Sequence, residues 1–200
     1  MNTRKQILHY LEEMAHALRE LQVTIPFHIL VAGGAYMMLQ HNRKSTQDID
    51  FALLEYPGVI PTQPFRAELQ RTEIAKHTVP YAAEFQEAVK RVAQRHKKLP
   101  SDWLNDEAAI YYYDDAPSAE VQFWRSFDTL LYVYLPTMPY MLATKVAAYR
   151  TKDRNDIQVL LRELQIQRRE QAQQIVDMFL PPDTQEFYEI AERLDELFPE

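Results

Sequence analysis

Two aspartates one residue apart, Asp48 and Asp50, follow a double glycine, Gly33-Gly34, within the segment LVAGGAYMMLQHNRKSTQDIDFAL (30–53). Side chains alternate across a strand, so Asp48 and Asp50 are expected on one side and Ile49 on the other. Two carboxylates that close repel unless a positive charge sits between them. Mg²⁺ suits such a pair, because it takes carboxylates, water and substrate phosphates together, with Mn²⁺ as a substitute. Two such ions would clamp the attacking and leaving oxygens of an in-line displacement. A glycine turn opening a helix presents backbone N–H groups to phosphate oxygens with no Cβ in the way. Arg43, Lys44, Ser45 and Thr46 precede the acids and could add charge or hydrogen bonds to a triphosphate. Phosphoryl-group chemistry needs mostly positioning and charge neutralisation, and this unit offers both.

The elements that must hold these residues can be read from periodicity. Residues 4–21 repeat apolar side chains at helical spacing. Phe27–Val31 reads as a buried strand, Ala35–Gln40 as a short apolar helix, and 48–55 as a strand. Prolines 57, 61 and 64 with Gly58 mark a loop over 56–64. Helical stretches are expected over 65–77 and 81–97, and an irregular connection over 99–106. Three strands follow, Ala109–Tyr113, Ala119–Trp124 and Thr129–Tyr134, rich in the β-branched and aromatic residues strands prefer. Thr137 is placed to cap a helix running to Tyr149, with Pro139 in its first turn. Further helices are expected over 153–164 and 168–179. A last helix from about Asp183 should bury Phe187, Ile190, Ala191, Leu194 and Leu197. This order predicts an α/β (α+β) fold, a small mixed sheet flanked by helices with a helical C-terminal extension. The expected division is 1–136 for the sheet-bearing part and 137–200 for the helices packed on it.

The glycine turn, the spacer and Asp-x-Asp together resemble the signature of the nucleotidyltransferase superfamily, whose fold is that of DNA polymerase beta. The variant Gly-Gly-Ala…Arg-x-Ser-Thr-x-Asp-Ile-Asp is similar to the bacterial branch that holds abortive-infection type E and toxin–antitoxin nucleotidyltransferases. LPSDWLND (99–106) and MLATKVAAYRTKDRNDIQVLL (141–161) extend the likeness. In that branch a helix carries a lysine, followed by Arg-x-x-Asp-x-x-Asp. Here these are Lys145, Arg150, Asp153 and Asp156. The resemblance implies a Mg²⁺-dependent enzyme that moves a nucleoside monophosphate from an NTP to an acceptor. It implies Asp48 and Asp50 as metal ligands, and Lys145, Asp153 and Asp156 beside them as catalytic groups. Gly33, Gly34, Arg43, Ser45, Thr46, Lys145 and Arg150 would hold the nucleotide. It further implies a tRNA, a protein side chain or a small molecule as acceptor, and an antitoxin as partner. Many members place a third carboxylate on a later strand. Thr129–Tyr134 has no acid inside it, and Glu120, Asp128, Asp114 and Asp115 are the nearest alternatives. A catalytically silent binding or regulatory protein of the same fold is the other reading.

Composition narrows the classes. The chain has 200 residues and no cysteine, which removes disulfides and thiol nucleophiles and fits a cytoplasmic compartment. Its net charge of −7 does not suit a general nucleic-acid coat. No run of about 18 apolar residues predicts a membrane span, and the charged first twenty residues lack the apolar core of a secretory signal. There is no Walker lysine motif and no HExxH zinc pattern. The basic stretch Lys90–Lys98 reads first as a solvated helix face. Trp103 reads as a packing anchor, Asn105 and Asp106 as caps of the next element, and Met37, Met38 and Leu39 as core. Lys145, alone on an apolar helix, reads either as a snorkelling side chain or as a charge for the phosphates. Lys152 and Arg154 read as a solvated helix start.

Overall fold

The computed structural model describes residues 3–41, 43–54, 66–68, 82–106 and 120–199. Helix α1 (Arg4–Glu20) begins at a capping box. The Gln6 N–H donates to the Thr3 hydroxyl (3.4 Å), and the Thr3 N–H donates back to Gln6 Oε1 (3.0 Å). Its buried stripe, Ile7, Leu11, Met14 and Leu18, is the one its spacing predicts.

Strand β1 (Phe27–Val31) is buried at all five positions because both faces of the sheet are covered there. Ile29 and Val31 join the main core, while Leu30 joins a smaller cluster on the other face with Ala52, Val121 and Tyr134. β1 is followed by α2 (Gly33–Gln40), β2 (Ile49–Leu54) and the short β3 (Arg66–Glu68). Then come α3 (Ala82–Arg95), β4 (Leu104–Asn105), β5 (Glu120–Phe127) and β6 (Leu131–Pro136). The sheet order among the described residues is β3-β5-β6-β1-β2-β4. β1 runs parallel to β6 and antiparallel to β2, so the sheet is mixed, as expected. α3 lies on α1, and the Trp103 indole N–H donates to the Val89 carbonyl (3.1 Å) from a fully buried position.

Helix α4 (Met138–Ala148) starts directly after β6 and is surrounded by α5 (Arg154–Glu163), α6 (Arg169–Phe179) and α8 (Ile190–Leu197). A 3-10 turn at Thr151–Asp153 precedes α5, and α7 (Pro182–Phe187) precedes α8. Val146, Leu160 and Val176 belong to the same buried cluster as Leu11 and Val133, so the C-terminal helices share the sheet's core. Among the described residues no helix is long and apolar enough to cross a membrane.

Four expectations need correction. Within the stretch expected as helix over 65–77, Arg66–Glu68 is an edge strand paired antiparallel to β5. The connection over 99–106 contains β4, whose Leu104 and Asn105 pair with Ile49 and Asp50, so Asn105 is a strand residue rather than a cap. The glycines are the first residues of α2 rather than a turn ahead of it. The last helix is two helices, broken where Glu189 takes a left-handed backbone (φ +52°). The break turns Phe187 out to 79% exposure and leaves Ala191 exposed, while Ile190 and Leu194 stay buried. The loop expected over 56–64, the remainder of 65–77, the strand at Ala109–Tyr113 and the acids Asp114 and Asp115 lie outside the described residues.

Candidate active site

The strand register brings the glycines and the acids together. β1 and β2 pair Val31 with Phe51, and one step further the Ala32 N–H donates to the Asp50 carbonyl (2.9 Å). The residue after Ala32 is therefore beside Asp50. Gly33 takes φ +58°, a conformation other residues adopt at a cost. A Cβ there would overlap the carboxylate oxygen Oδ2 of Asp50. Asp50 thus packs its carboxylate directly on the backbone of the first turn of α2. Gly34 plays the same part for the spacer: a Cβ there would stand 2.6 Å from Thr46 Oγ1 and 3.3 Å from the Arg43 guanidinium carbon.

β2 begins at Ile49 rather than at Asp48 as expected; Ile49 is fully buried, while Asp50 in the strand and Asp48 in the bend before it are partly exposed. Burial pushes the Asp50 carboxyl above its ordinary range, and the Asp48 charge beside it pushes the same way. Arg150, then Lys152 and Lys145, oppose that rise. One further acid and three cations therefore act on Asp50. Lys152, read from sequence as a solvated helix start, belongs to this field. Its position two residues after Arg150 gave no sign of it, because the turn after α4 decides which way that run faces.

Lys145 is 3% exposed, and its ammonium donates to both Asp153 and Asp156, the latter at 2.9 Å. Arg150 Nε donates to Asp153 Oδ2 (2.7 Å), and Arg43 donates to Asp156 Oδ2 (2.5 Å). Burial raises the Asp153 carboxyl, but the Arg150 hydrogen bond and Lys145 outweigh it and hold Asp153 below its ordinary range. Lys145 is no snorkelling side chain; with Asp153 and Asp156 it forms the buried centre of an ion network whose outer members are the exposed Arg150 and the half-buried Arg43. Arg43 also donates to the Ser45 carbonyl (3.1 Å), which fixes the spacer against Gly34. Asp153 and Asp156 thus support Lys145, and Arg43 is engaged by Asp156.

Of the acids named for a third carboxylate, Asp128 and Glu120 fall among the described residues. Asp128 pairs with Arg19 at the β5–β6 turn, at the opposite end of the sheet from Gly33. Glu120 starts β5 at the same sheet end as Gly33, because Val121 faces Pro136. Its strand is separated from β2 by β6 and β1, a spacing of about 14 Å at the usual strand separation.

Comparison with protein-family models, curated proteins and solved structures found no match.

The donor set fits a hard divalent cation. Asp50 in β2 and Asp48 just ahead of that strand offer carboxylate oxygens, and the repulsion between them favours a cation. On the outer side of Asp48, Lys97 and Lys98 line an open groove of about 510 Å³ with Gln47 and Asp102. The end of the basic stretch read from sequence as a solvated face therefore borders Asp48. A separate cavity of about 650 Å³ opens between α2, the β6–α4 junction and α5, with Arg43 and Asp156 in its wall.

Proposed function

We infer that this chain is a Mg²⁺-dependent nucleotidyltransferase. The observation that carries the reading is the Asp50 carboxylate seated in the space left by Gly33, with Asp48 beside it and Arg150, Lys152 and Lys145 in its field. In this reading Asp48 and Asp50 hold Mg²⁺, which when bound neutralises charge on the triphosphate and on the leaving group. The first turn of α2 receives phosphate oxygens, as the N-terminus of a helix favours anions. Arg150 and Lys152 offer further cationic charge near that turn. An acceptor oxygen attacks the α-phosphorus, a new P–O bond forms, the bond to the bridging oxygen of the β-phosphate breaks, and pyrophosphate leaves. The acceptor's proton goes to solvent.

Lys145 acts in this account by holding Asp153 and Asp156, and so Arg150 and Arg43, in place. The groove at Lys97 and Lys98 suits an acceptor that carries phosphate, an RNA end in the first instance, with a protein side chain or a small molecule as the alternatives. An antitoxin partner and a cytoplasmic setting belong to the same reading.

The test is incubation of the protein and Mg²⁺ with each of the four labelled NTPs and total cell RNA or lysate. Transfer of label to a macromolecule or metabolite, absent with Asp50→Asn, is the expected result. No transfer with any NTP would overturn the activity. A second reading, a catalytically silent nucleotide-binding or regulatory protein, is favoured by one observation: among the described residues no further carboxylate or histidine joins Asp48 and Asp50 in a group of three close enough to hold one ion. It predicts Mg²⁺-NTP binding without transfer.

A further inference from the structure

We propose that His9 and Glu13 of α1, with His96 at the end of α3, form a binding site for Zn²⁺ that is separate from the acid pair. His9 and Glu13 stand one helical turn apart, so both side chains leave the same face of α1. His96 follows the last residue of α3, the helix that packs on α1. Glu13 lies between the two rings. Its Oε1 is 3.4 Å from His9 Nε2, and its Oε2 is 2.7 Å from His96 Nε2. One ligand atom from each of the three residues lies within 4.8 Å of the other two. Ligand atoms on a single tetrahedral Zn²⁺ stand about 3.4 Å apart, so the set has to draw in by about 1 Å. The His9 side chain is 54% exposed and free to turn by that amount.

The donor set selects the ion. Two imidazoles and one carboxylate suit Zn²⁺ and leave a fourth, water-facing position open. Mg²⁺ takes oxygen ligands in an octahedron, so it prefers the acid pair to this site. Where an imidazole N–H points at a carboxylate, a metal ion replaces the proton between them. His96 is held ready for that exchange. Its N–H donates to the Ala93 carbonyl (3.2 Å), and its carbonyl accepts from the Leu99 N–H (2.8 Å). Its ring rests against the buried Tyr10 (4.9 Å between centroids), which in turn meets Trp103. The same helix supplies a contrast. His16 and Glu20 repeat the spacing of His9 and Glu13, but there Glu20 faces Arg91 and Arg95, whose charges stand where a metal would. Lys97 and Lys98 come directly after His96, so the ion would fix the chain where it enters the groove beside Asp48.

The test is calorimetric titration of Zn²⁺ into the full chain, stripped with a chelator, without a histidine tag and in excess Mg²⁺. One ion per chain is expected to bind at this site. Binding should weaken about tenfold or more in His9→Ala and in His96→Ala, and stay as in the parent in His16→Ala and in Asp48→Asn/Asp50→Asn. Co²⁺ in place of Zn²⁺ should give the visible absorption of a tetrahedral site, lost in the same two variants. Because His9 is exposed, His9→Ala should melt close to the metal-free parent, so its loss of binding is not a loss of fold. Zn²⁺ should raise the melting temperature of the parent and not that of His9→Ala. No saturable Zn²⁺ binding by the parent, or binding unchanged in His9→Ala and His96→Ala, overturns the proposal and leaves a hydrogen bond between His96 and Glu13. Binding lost in Asp48→Asn/Asp50→Asn and kept in His9→Ala overturns it as well, by placing Zn²⁺ at the acid pair.

Discussion

A methyl group at Gly33 would stand where the Asp50 carboxylate stands, on a backbone at φ +58°. Gly33→Ala therefore carries the left-handed penalty of about 1–2 kcal/mol and displaces Asp50 as well. Its melting temperature should fall by several degrees, and a thermal-shift titration should show loss of any Mg²⁺-NTP stabilisation. Gly34→Ala keeps an ordinary backbone and meets Thr46 and Arg43 instead, so it should disturb the spacer more than the metal position. Asp153 is 1% exposed, and Asp153→Asn leaves the Lys145 ammonium with one carboxylate fewer in a buried setting. Loss of a buried partner costs about 3 kcal/mol or more, readable by urea denaturation. Because the folded state lowers the Asp153 carboxyl, its contribution is complete above the ordinary carboxylate range. It disappears as pH falls through the lowered value, and Asp153→Asn should flatten that acid limb. The acid pair and the glycines were legible at this scale because alternation in a strand and the missing Cβ are local rules. The ion network was not. Lys145 meets Asp153 and Asp156 only because Tyr149 turns the chain in a left-handed conformation after α4 (φ +44°), and spacing alone does not report that turn.

At the scale of elements, periodicity found what packing on one face dictates. The α1 stripe and the all-buried β1 were legible for that reason, and β5 and β6 for their aromatic and branched residues. Arg66–Glu68 was misread because its residues are good helix formers, and pairing with β5 overrides that preference. β4 is two residues long and has no periodicity to read; it exists because Ile49 and Asp50 offer a free strand edge. The C-terminal helix was misread because one left-handed residue, Glu189, resets the angle of everything before it. This gives a discriminating prediction. Phe187→Ser should change stability by no more than about 0.5 kcal/mol, as surface substitutions do. Leu194→Ala, at a fully buried position of α8, should cost about 2–5 kcal/mol in the same denaturation assay. An unbroken helix would make both substitutions costly.

For the molecule as a whole, the site sits where the topology puts a natural crevice. β1 and β6 are parallel neighbours, and each runs at its C-terminal end into a helix, α2 and α4. The glycines at the start of α2 and the cavity beside the β6–α4 junction therefore lie at the same end of the sheet, the end at which open α/β sheets hold ligands. The antiparallel β2 delivers Asp48 and Asp50 to that end from the other direction. The C-terminal helices then close the crevice with Lys145 and its partners, in one core with the sheet.

The most direct test of the metal claim is thermal stability with each NTP in the presence and absence of Mg²⁺, across pH. The parent protein should gain stability only with both, by about 2.7 kcal/mol when ligand is a hundredfold above its Kd. Because the folded state raises the Asp50 carboxyl, ionising it costs stability as pH rises through the ordinary carboxylate range toward the raised value. A bound cation offsets that cost, so the Mg²⁺-dependent gain should be full at neutral pH and fade as Asp50 takes up its proton. Loss of the gain in Asp48→Asn/Asp50→Asn is the result this account predicts. An equal gain in that double variant, or none in the parent with any NTP, would contradict it.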